Sequence, residues 1–303
     1  MMRVTMQPRV LGRTGERVSP LCLGGWHIGA IKEENDSIRL MHAALDEGVT
    51  FFDNAWDYHD GRSEERMGKA LAVDKRRARV FLMTKNCERD YDGSMRCLED
   101  SLRRLRTDYL DLWQFHECVY DNDPDWIFER GGIEAAIEAR RQGKVRYIGF
   151  TGHKDPRIHL KMLSKPFEWD TCQMPINVMD AQYRSFLKDV LPACHERGIG
   201  VLGMKGFGGG YPEGALSRLG LDPIECYRFA LSQPVATQVM GVLNEDQLRQ
   251  NVKAARDFKP MSQQEQQDLL DRVKTEATDG RFERFKSTSE FDGPHHKRQH
   301  GFV

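Results

Sequence analysis

Four side chains set the chemistry this sequence could carry. They are a carboxylate at Asp53, a phenol at Tyr58, an ammonium at Lys85 and an imidazole at His116. A carbonyl that receives hydride becomes an alkoxide and needs a proton. A tyrosine hydroxyl can supply it, although its unperturbed pKa of ~10 is high for that task. A nearby ammonium favours the phenolate and lowers that pKa. A buried lysine needs a carboxylate partner, which Asp53 offers. A histidine polarises or orients the carbonyl oxygen. Taken singly, each residue has a plainer role: Asp53 a turn cap, Tyr58 packing, Lys85 a solvated charge, His116 a structural ring. The four types together are more specific than any one of them.

Their spacing places them on recurrent elements. Asp53 closes the apolar run 50–55, Lys85 the run 80–85 and His116 the run 109–116. A fourth run, 145–153, leads into Thr151 and His153. These runs belong to a longer alternation of short β-rich segments with amphipathic stretches from about residue 21 to 256. The remaining strands are predicted at 21–26, 171–177, 198–205 and 237–242. Helices are predicted at 37–48, 63–71, 95–107, 132–143, 156–164, 185–198, 222–233 and 245–256. Ser63 is the expected cap of the second helix. Near-continuous apolar strands separated by crossover helices indicate a parallel sheet covered by helices. Eight such units close into a (β/α)8 TIM barrel, whose chemistry sits at the C-terminal strand ends. Residues 8–20 read as an N-terminal β-hairpin, with Thr14-Gly15 near its turn. Residues 262–276 read as one extra C-terminal helix. The tail from Thr278 is polar and is expected to be loosely ordered. The chain 1–303 is thus one barrel domain, with a core over about 21–256 and a helix and tail over 257–303.

Composition agrees with that class. The 303 residues carry 45 Lys+Arg against 46 Asp+Glu, a formal net charge of −1. This near balance removes any global electrostatic argument for nucleic acid or an anionic membrane as a partner. No run of 18 apolar residues exists, and the first 20 residues lack the apolar core of a secretory signal. The seven cysteines form no C-x-x-C pair. They read as reduced, scattered thiols of a cytoplasmic protein, with Cys87 and Cys118 given no redox role. His295, His296 and His300 are expected in a solvated tail, and no metal site is assigned. Oligomeric state is not encoded legibly, and a monomer is the default.

The motif FFDNAWDYHDGRSEERMGKAL (51–71) resembles the signature of the aldo-keto reductase superfamily. MTK at Lys85, QFH at His116 and the opening LGRTGERVSPLCLGG (11–25) extend the resemblance over nearly the whole barrel. It implies an NADP(H)-type cofactor bound extended across the bowl, with NAD(H) as the other choice. Hydride would pass to an aldehyde or ketone with Tyr58 as acid, assisted by Lys85, Asp53 and His116. It further implies Thr151 and Gln173, with Asn177 less directly, at the nicotinamide carboxamide. The segment GMKGFGGG (203–210), with Met204, Lys205 and Gly206, corresponds to the phosphate segment. Gly241, Asn244, Gln247 and Asn251 correspond to the adenosine segment, and Gly25 and Trp26 to the cofactor's other wall.

The chain departs from the family pattern in three places. The ring-stacking aromatic after the seventh strand is replaced by Gly203-Met204. Ser-Asn after the fifth strand becomes Thr151-Gly152-His153, which offers His153 to the substrate. The basic residue beside a 2′-phosphate is missing from 241–247, leaving Arg249, Lys253 or a loop residue to compensate. The loop 117–132 and the tail are expected to shape the pocket. Trp26, Trp56, Tyr91 and Trp126 are available to line it for an apolar, aromatic or sugar-like carbonyl compound. Two other readings stand beside the reductase. One is a cofactor-binding regulatory subunit with little turnover. The other is a hydrolase with a metal on Asp53, His116, Glu117 and His153, which Lys85 argues against.

Overall fold

The computed structural model describes residues 6–208 and 215–302. Gly209 and Gly210, which complete the glycine run of the expected phosphate segment, lie outside the described residues. The chain opens with a hairpin of β1 (Arg9–Val10) and β2 (Arg17–Val18), paired antiparallel. Eight strands follow: β3 (Leu21–Gly24), β4 (Phe51–Asp53), β5 (Phe81–Asn86), β6 (Leu110–Phe115), β7 (Val145–Thr151), β8 (Thr171–Pro175), β9 (Gly200–Met204) and β10 (Thr237–Met240). All pair in parallel, and β10 returns to β3 to close the barrel. The expected (β/α)8 architecture is therefore present, with its N-terminal hairpin and its additional helix, Gln263–Val273.

The strands form where the sequence is apolar on both faces. Every residue of β5 and of β6 is buried. One apolar layer, including Leu40, Leu82, Trp113 and Ile148, fills the space between strands and helices. A second, including Cys22, Phe51, Met83, Leu112 and Leu202, fills the barrel, and Leu11 and Val18 of the hairpin join it. The hairpin thus plugs one end of the barrel and leaves the other for chemistry. Side-chain caps start five of the helices there, with Asp90, Asp155, Ser185, Asp222 and Asn244 each accepting a backbone N–H of the first turn, and Ser262 does the same for the additional helix. All seven cysteines are buried and free. No helix among the described residues is long and apolar enough to cross a membrane.

Four expectations differ from what the chain does. The first strand stops at Gly24, and Gly25–Ala30 turns into a short helix. A Cβ on Gly25 would lie 2.6 Å from the carbonyl oxygen of Asp53, so this turn needs glycine. Ser63 does not cap its helix, which begins at Arg62 behind Gly61; its hydroxyl instead donates to the Gly25 carbonyl at 2.7 Å. The long loop after β6 contains a further helix, Asp123–Glu129, whose Asp123 is held by Arg89 at 2.9 Å.

The tail is the largest difference, because it is folded. Helices Arg284–Ser287 and Pro294–Gln299 lie against the loops that follow β6 and β8. Lys286, about 1% exposed, donates to Asp180 at 2.6 Å and to Glu283 at 2.9 Å, and Asn177 donates to Glu283 at 2.9 Å. Asp292 takes Lys154 at 2.6 Å and the Tyr120 hydroxyl at 3.2 Å. His300 stacks on Trp126 with centroids 4.5 Å apart and meets Asp123 at 3.0 Å. His295 pairs with Glu88 at 3.1 Å, and His296 is fully buried. Ion pairs and ring stacking do here what an apolar stripe does in the barrel helices. The expectation of a solvated histidine tail is therefore corrected.

Lys286→Met leaves the Asp180 and Glu283 carboxylates buried without their cation. The expected outcome is a loss of ~3–5 kcal/mol in urea denaturation, against little change for Lys297→Met on the outer tail helix.

Candidate active site

The C-terminal ends of three neighbouring strands bring the four reactive residues together. Asp53 pairs with Gly24 on one side and Met83 on the other, and Lys85 pairs with Gln114. Lys85 is almost fully buried. Its Nζ donates to Asp53 Oδ1, to the Asn54 carbonyl at 2.7 Å and to the Tyr58 hydroxyl at 3.4 Å. Tyr58 stands in the turn after β4, edge-on to Trp26 and to His116 at 5.3 and 5.5 Å. Burial, then the charges of Asp53, Asp57 and Glu117, push the phenol well above its usual value. This differs from the lowered value expected of a tyrosine beside an ammonium. The reason is local: Asp53 answers the charge of Lys85, and two further carboxylates face the ring. Tyr58 accordingly keeps its proton in this state.

His116 is held from behind. Its Nδ1 lies 3.2 Å from Asp57 Oδ1 and 3.4 Å from Cys87 Sγ. Burial works against the charge of Asp57, but the His116 ring outweighs it and keeps the carboxyl below the carboxylate range. Glu117, the next residue, sits at a left-handed φ of 44° and accepts the Gly293 N–H at 2.6 Å. Burial pushes its carboxyl up to about 7 against the pull of His116, and Asp57 and Asp292 add to the push. Sequence spacing does not reveal that Asp57 supports His116 or that Glu117 holds Gly293, because these contacts join separate β/α units and the tail.

These residues line a cleft of about 1070 Å³. Trp26, Trp56, Thr151, His153, Gln173, Met204, Lys205, Gly206 and Gly241 also face it, as do Phe291, His295 and Arg298 of the tail. A neighbouring cavity of about 270 Å³ holds Gln247, Asn251 and Gly241, and the two share His27 and Phe207. A Cβ on Gly241, which lines both, would lie 2.1 Å from the His27 ring. Gly25 lies outside both cavities, its place on the wall taken by Gly24. Asn244 caps its helix by accepting the Gln247 N–H at 3.0 Å. Asn177 serves the tail through Glu283 rather than the cleft. Of the other aromatics named from sequence, Tyr91 and Trp126 are not among the lining residues.

Polar groups in the cleft have capacity to spare. Gln173 is buried, and its Oε1 has no hydrogen-bond partner. Burial lowers the Lys205 ammonium to about 8, against the attraction of Glu117. Its Nζ lies over the rings of Phe285 and Phe291 at 4.9 and 5.3 Å. Burial keeps His153 neutral, with its pKa down at about 3, although Asp292 lies 3.7 Å away. At the far end Arg249 is paired with Glu245 and Asp246, and Lys253 with Asp257. Asp53 is committed to Lys85, so it is not free to join the metal set considered for a hydrolase.

Comparison with known proteins places this barrel. The model of the aldo/keto reductase family matches residues 20–220. YrpG, an uncharacterized oxidoreductase of Bacillus subtilis, is 34% identical over 228 residues, 68% of each chain. A 6-dehydroglucose reductase of Novosphingobium aromaticivorans is 32% identical over 166 residues, covering 50% of this chain and 53% of its own. The holo form of aldo-keto reductase AKR11C1 from Bacillus halodurans superposes with a TM-score of 0.73 at 25% identity. That match covers 88% of this chain and 96% of that one. The chain belongs to the aldo/keto reductase family, a family of oxidoreductases that bind NAD(P)H.

The raised carboxyl of Glu117 makes stability depend on pH. Its folded value of about 7 lies above the ordinary 4.5. The folded state therefore binds the extra proton. That stabilisation is complete below about pH 4.5 and is lost as pH rises through about 7. Urea titrations across this window are expected to show a loss on the order of 3 kcal/mol in the wild type that Glu117→Gln lacks.

Proposed function

We propose that the chain reduces an aldehyde or ketone to an alcohol, or runs the reverse reaction, with Tyr58 as the general acid. The observation that carries the reading is the Lys85 ammonium placed between Asp53 and the Tyr58 hydroxyl. The cleft suits a nicotinamide dinucleotide. Gln173 Oε1 is a buried acceptor without a donor, which a carboxamide N–H satisfies. Thr151 stands beside it across β7 and β8. Lys205 and the backbone near Gly206 suit a pyrophosphate, and Gln247 and Asn251 an adenosine in the adjoining cavity.

When bound, the reduced cofactor supplies hydride to the carbonyl carbon. Tyr58 holds its proton until charge develops on the carbonyl oxygen and then donates it from Oη. Lys85 stabilises the phenolate left behind, because its Nζ is already fixed by Asp53 and the Asn54 carbonyl. His116, held from behind through Nδ1 by Asp57, sets its ring at the edge of the cleft beside Tyr58. The tail residues that roof the cleft limit access of bulk water. Trp26 and Trp56 beside Asp57, Glu117 and His295 support a hydroxylated carbonyl compound stacked on indole. The 6-dehydroglucose reductase among the relatives agrees with that class. We place the enzyme in the cytoplasm as a monomer acting on small molecules.

The resemblance favours NADP(H), while the charges at the adenosine end favour NAD(H). The candidate partners of a 2′-phosphate, Arg249 and Lys253, are each paired with a carboxylate. Paired fluorescence titrations are expected to show binding of both cofactors, with NADH no weaker than NADPH. Tyr58→Phe is expected to lower kcat by roughly 100- to 10,000-fold on a carbonyl panel while cofactor binding is retained. Full activity in that variant overturns the assignment of Tyr58. Tight cofactor binding with negligible turnover in the wild type favours the regulatory-subunit alternative.

A further inference from the structure

Behind the reacting atoms the fold assembles a donor set that the carbonyl chemistry uses only in part, through the far side of His116 and its neighbour Asp57. Asp57 comes from the turn after β4, Cys87 follows β5, His116 follows β6, and His296 belongs to the tail helix Pro294–Gln299. One donor atom from each lies within 4.8 Å of the other three. We propose that Asp57, Cys87, His116 and His296 form a site for a borderline-soft divalent cation of the zinc type, one that clasps the tail to the cleft.

The donor chemistry comes first. One carboxylate oxygen, one thiol sulfur and two imidazoles are the ligand types of a four-coordinate zinc site. The geometry agrees on the two edges that meet at His116. Bonds of ~2.0–2.3 Å arranged tetrahedrally put donor atoms about 3.3–3.7 Å apart. Asp57 Oδ1 and Cys87 Sγ stand 3.2 and 3.4 Å from His116 Nδ1. His296 is the fourth corner, and an inward shift of about 1 Å brings the widest separation to a tetrahedral edge. That shift falls on a short helix of the tail rather than on the barrel.

One of these groups is also unspent. His296 is fully buried, and its Nε2 has no hydrogen-bond partner. Buried polar atoms are normally satisfied, so this orphan beside three other donor residues calls for an occupant. The charges balance as well. A dication with the Asp57 carboxylate and a Cys87 thiolate is neutral, and Glu117 Oε2 stands 4.0 Å from His296 Nε2. The opposing cation is Arg89, 3.5 Å from His296 Nδ1, and its charge is answered by Asp123 at 2.9 Å. Binding forms a metal–sulfur bond and breaks the Cys87 S–H bond, and the proton leaves to solvent. No electron is transferred. A metal on Nδ1 of His116 leaves Nε2 with its hydrogen, the tautomer that can donate to a carbonyl oxygen.

This site does not depend on the proposed reaction, and its test is separate. Metal-stripped protein is titrated with Co(II), and the absorption spectrum is recorded. The expected result is tetrahedral d–d bands and a thiolate-to-cobalt charge-transfer band that saturate at one equivalent, release one proton per ion and disappear on adding Zn(II). Cys87→Ser is expected to abolish the charge-transfer band, and His296→Ala to weaken binding at least about tenfold. Melting curves of each variant without metal, with NADH and NADPH titrations of the same samples, report whether the barrel is intact. Absence of a charge-transfer band in the wild type overturns the proposal. So does a band of equal strength in folded Cys87→Ser, which would place the metal on another of the seven cysteines. Failure of the carbonyl panel leaves this result untouched.

Discussion

The pairing of Lys85 with Asp53 is the constraint on which the rest of the site depends. An ammonium this deeply buried is tolerated only if a counter-charge and further hydrogen bonds replace water. Asp53 and the Asn54 carbonyl do so from the neighbouring strand and its turn. The pair fixes where the turn after β4 can run, and that turn carries Trp56, Asp57 and Tyr58. Tyr58 then meets His116, and Asp57 supports His116 from the other side. One ion pair thus sets the positions of an acid, its auxiliary cation and the imidazole beside them.

The same principle governs the bowl as a whole. Asp123 answers Arg89, Asp292 answers Lys154, and Lys286 answers Asp180 and Glu283. Apart from Glu283, three residues before Lys286, the partners come from segments distant in sequence. The buried charges are therefore settled locally, and the chain's net charge of −1 does not describe the field inside the cleft. Glu117 and Lys205 depart most usefully from this neutrality, because burial moves both toward their uncharged forms.

Much of this was legible in the sequence where burial follows a simple period. Parallel strands covered on both faces appear as unbroken apolar runs, so all eight barrel strands and the level of Asp53, Lys85 and His116 could be read directly. The helices Pro156–Ser164 and Glu245–Arg256 begin where expected because Asp155-Pro156 and Asn244 carry explicit start signals. The tail was not legible. Lys286, Glu283 and His296 are residue types that usually mark solvent, and their burial depends on partners more than a hundred positions away. The protonation of Tyr58 was hidden for a related reason. Sequence shows a lysine and its carboxylate partner, but not how deeply the phenol is buried or that Asp57 and Glu117 add their charges to that of Asp53.

The latch between Glu117 and the Gly293 N–H spans 176 positions. At synthesis rates of ~5–20 residues per second, the barrel strands that carry the reactive side chains emerge roughly 10–35 seconds before the segment that roofs them. A nascent barrel holding Asp53, Tyr58, Lys85 and His116 is still an open basin, wet and without its far wall. Completion of the cleft consequently comes later in synthesis than the reactive groups themselves, and a segment far downstream of them decides when the bowl becomes an enclosed site.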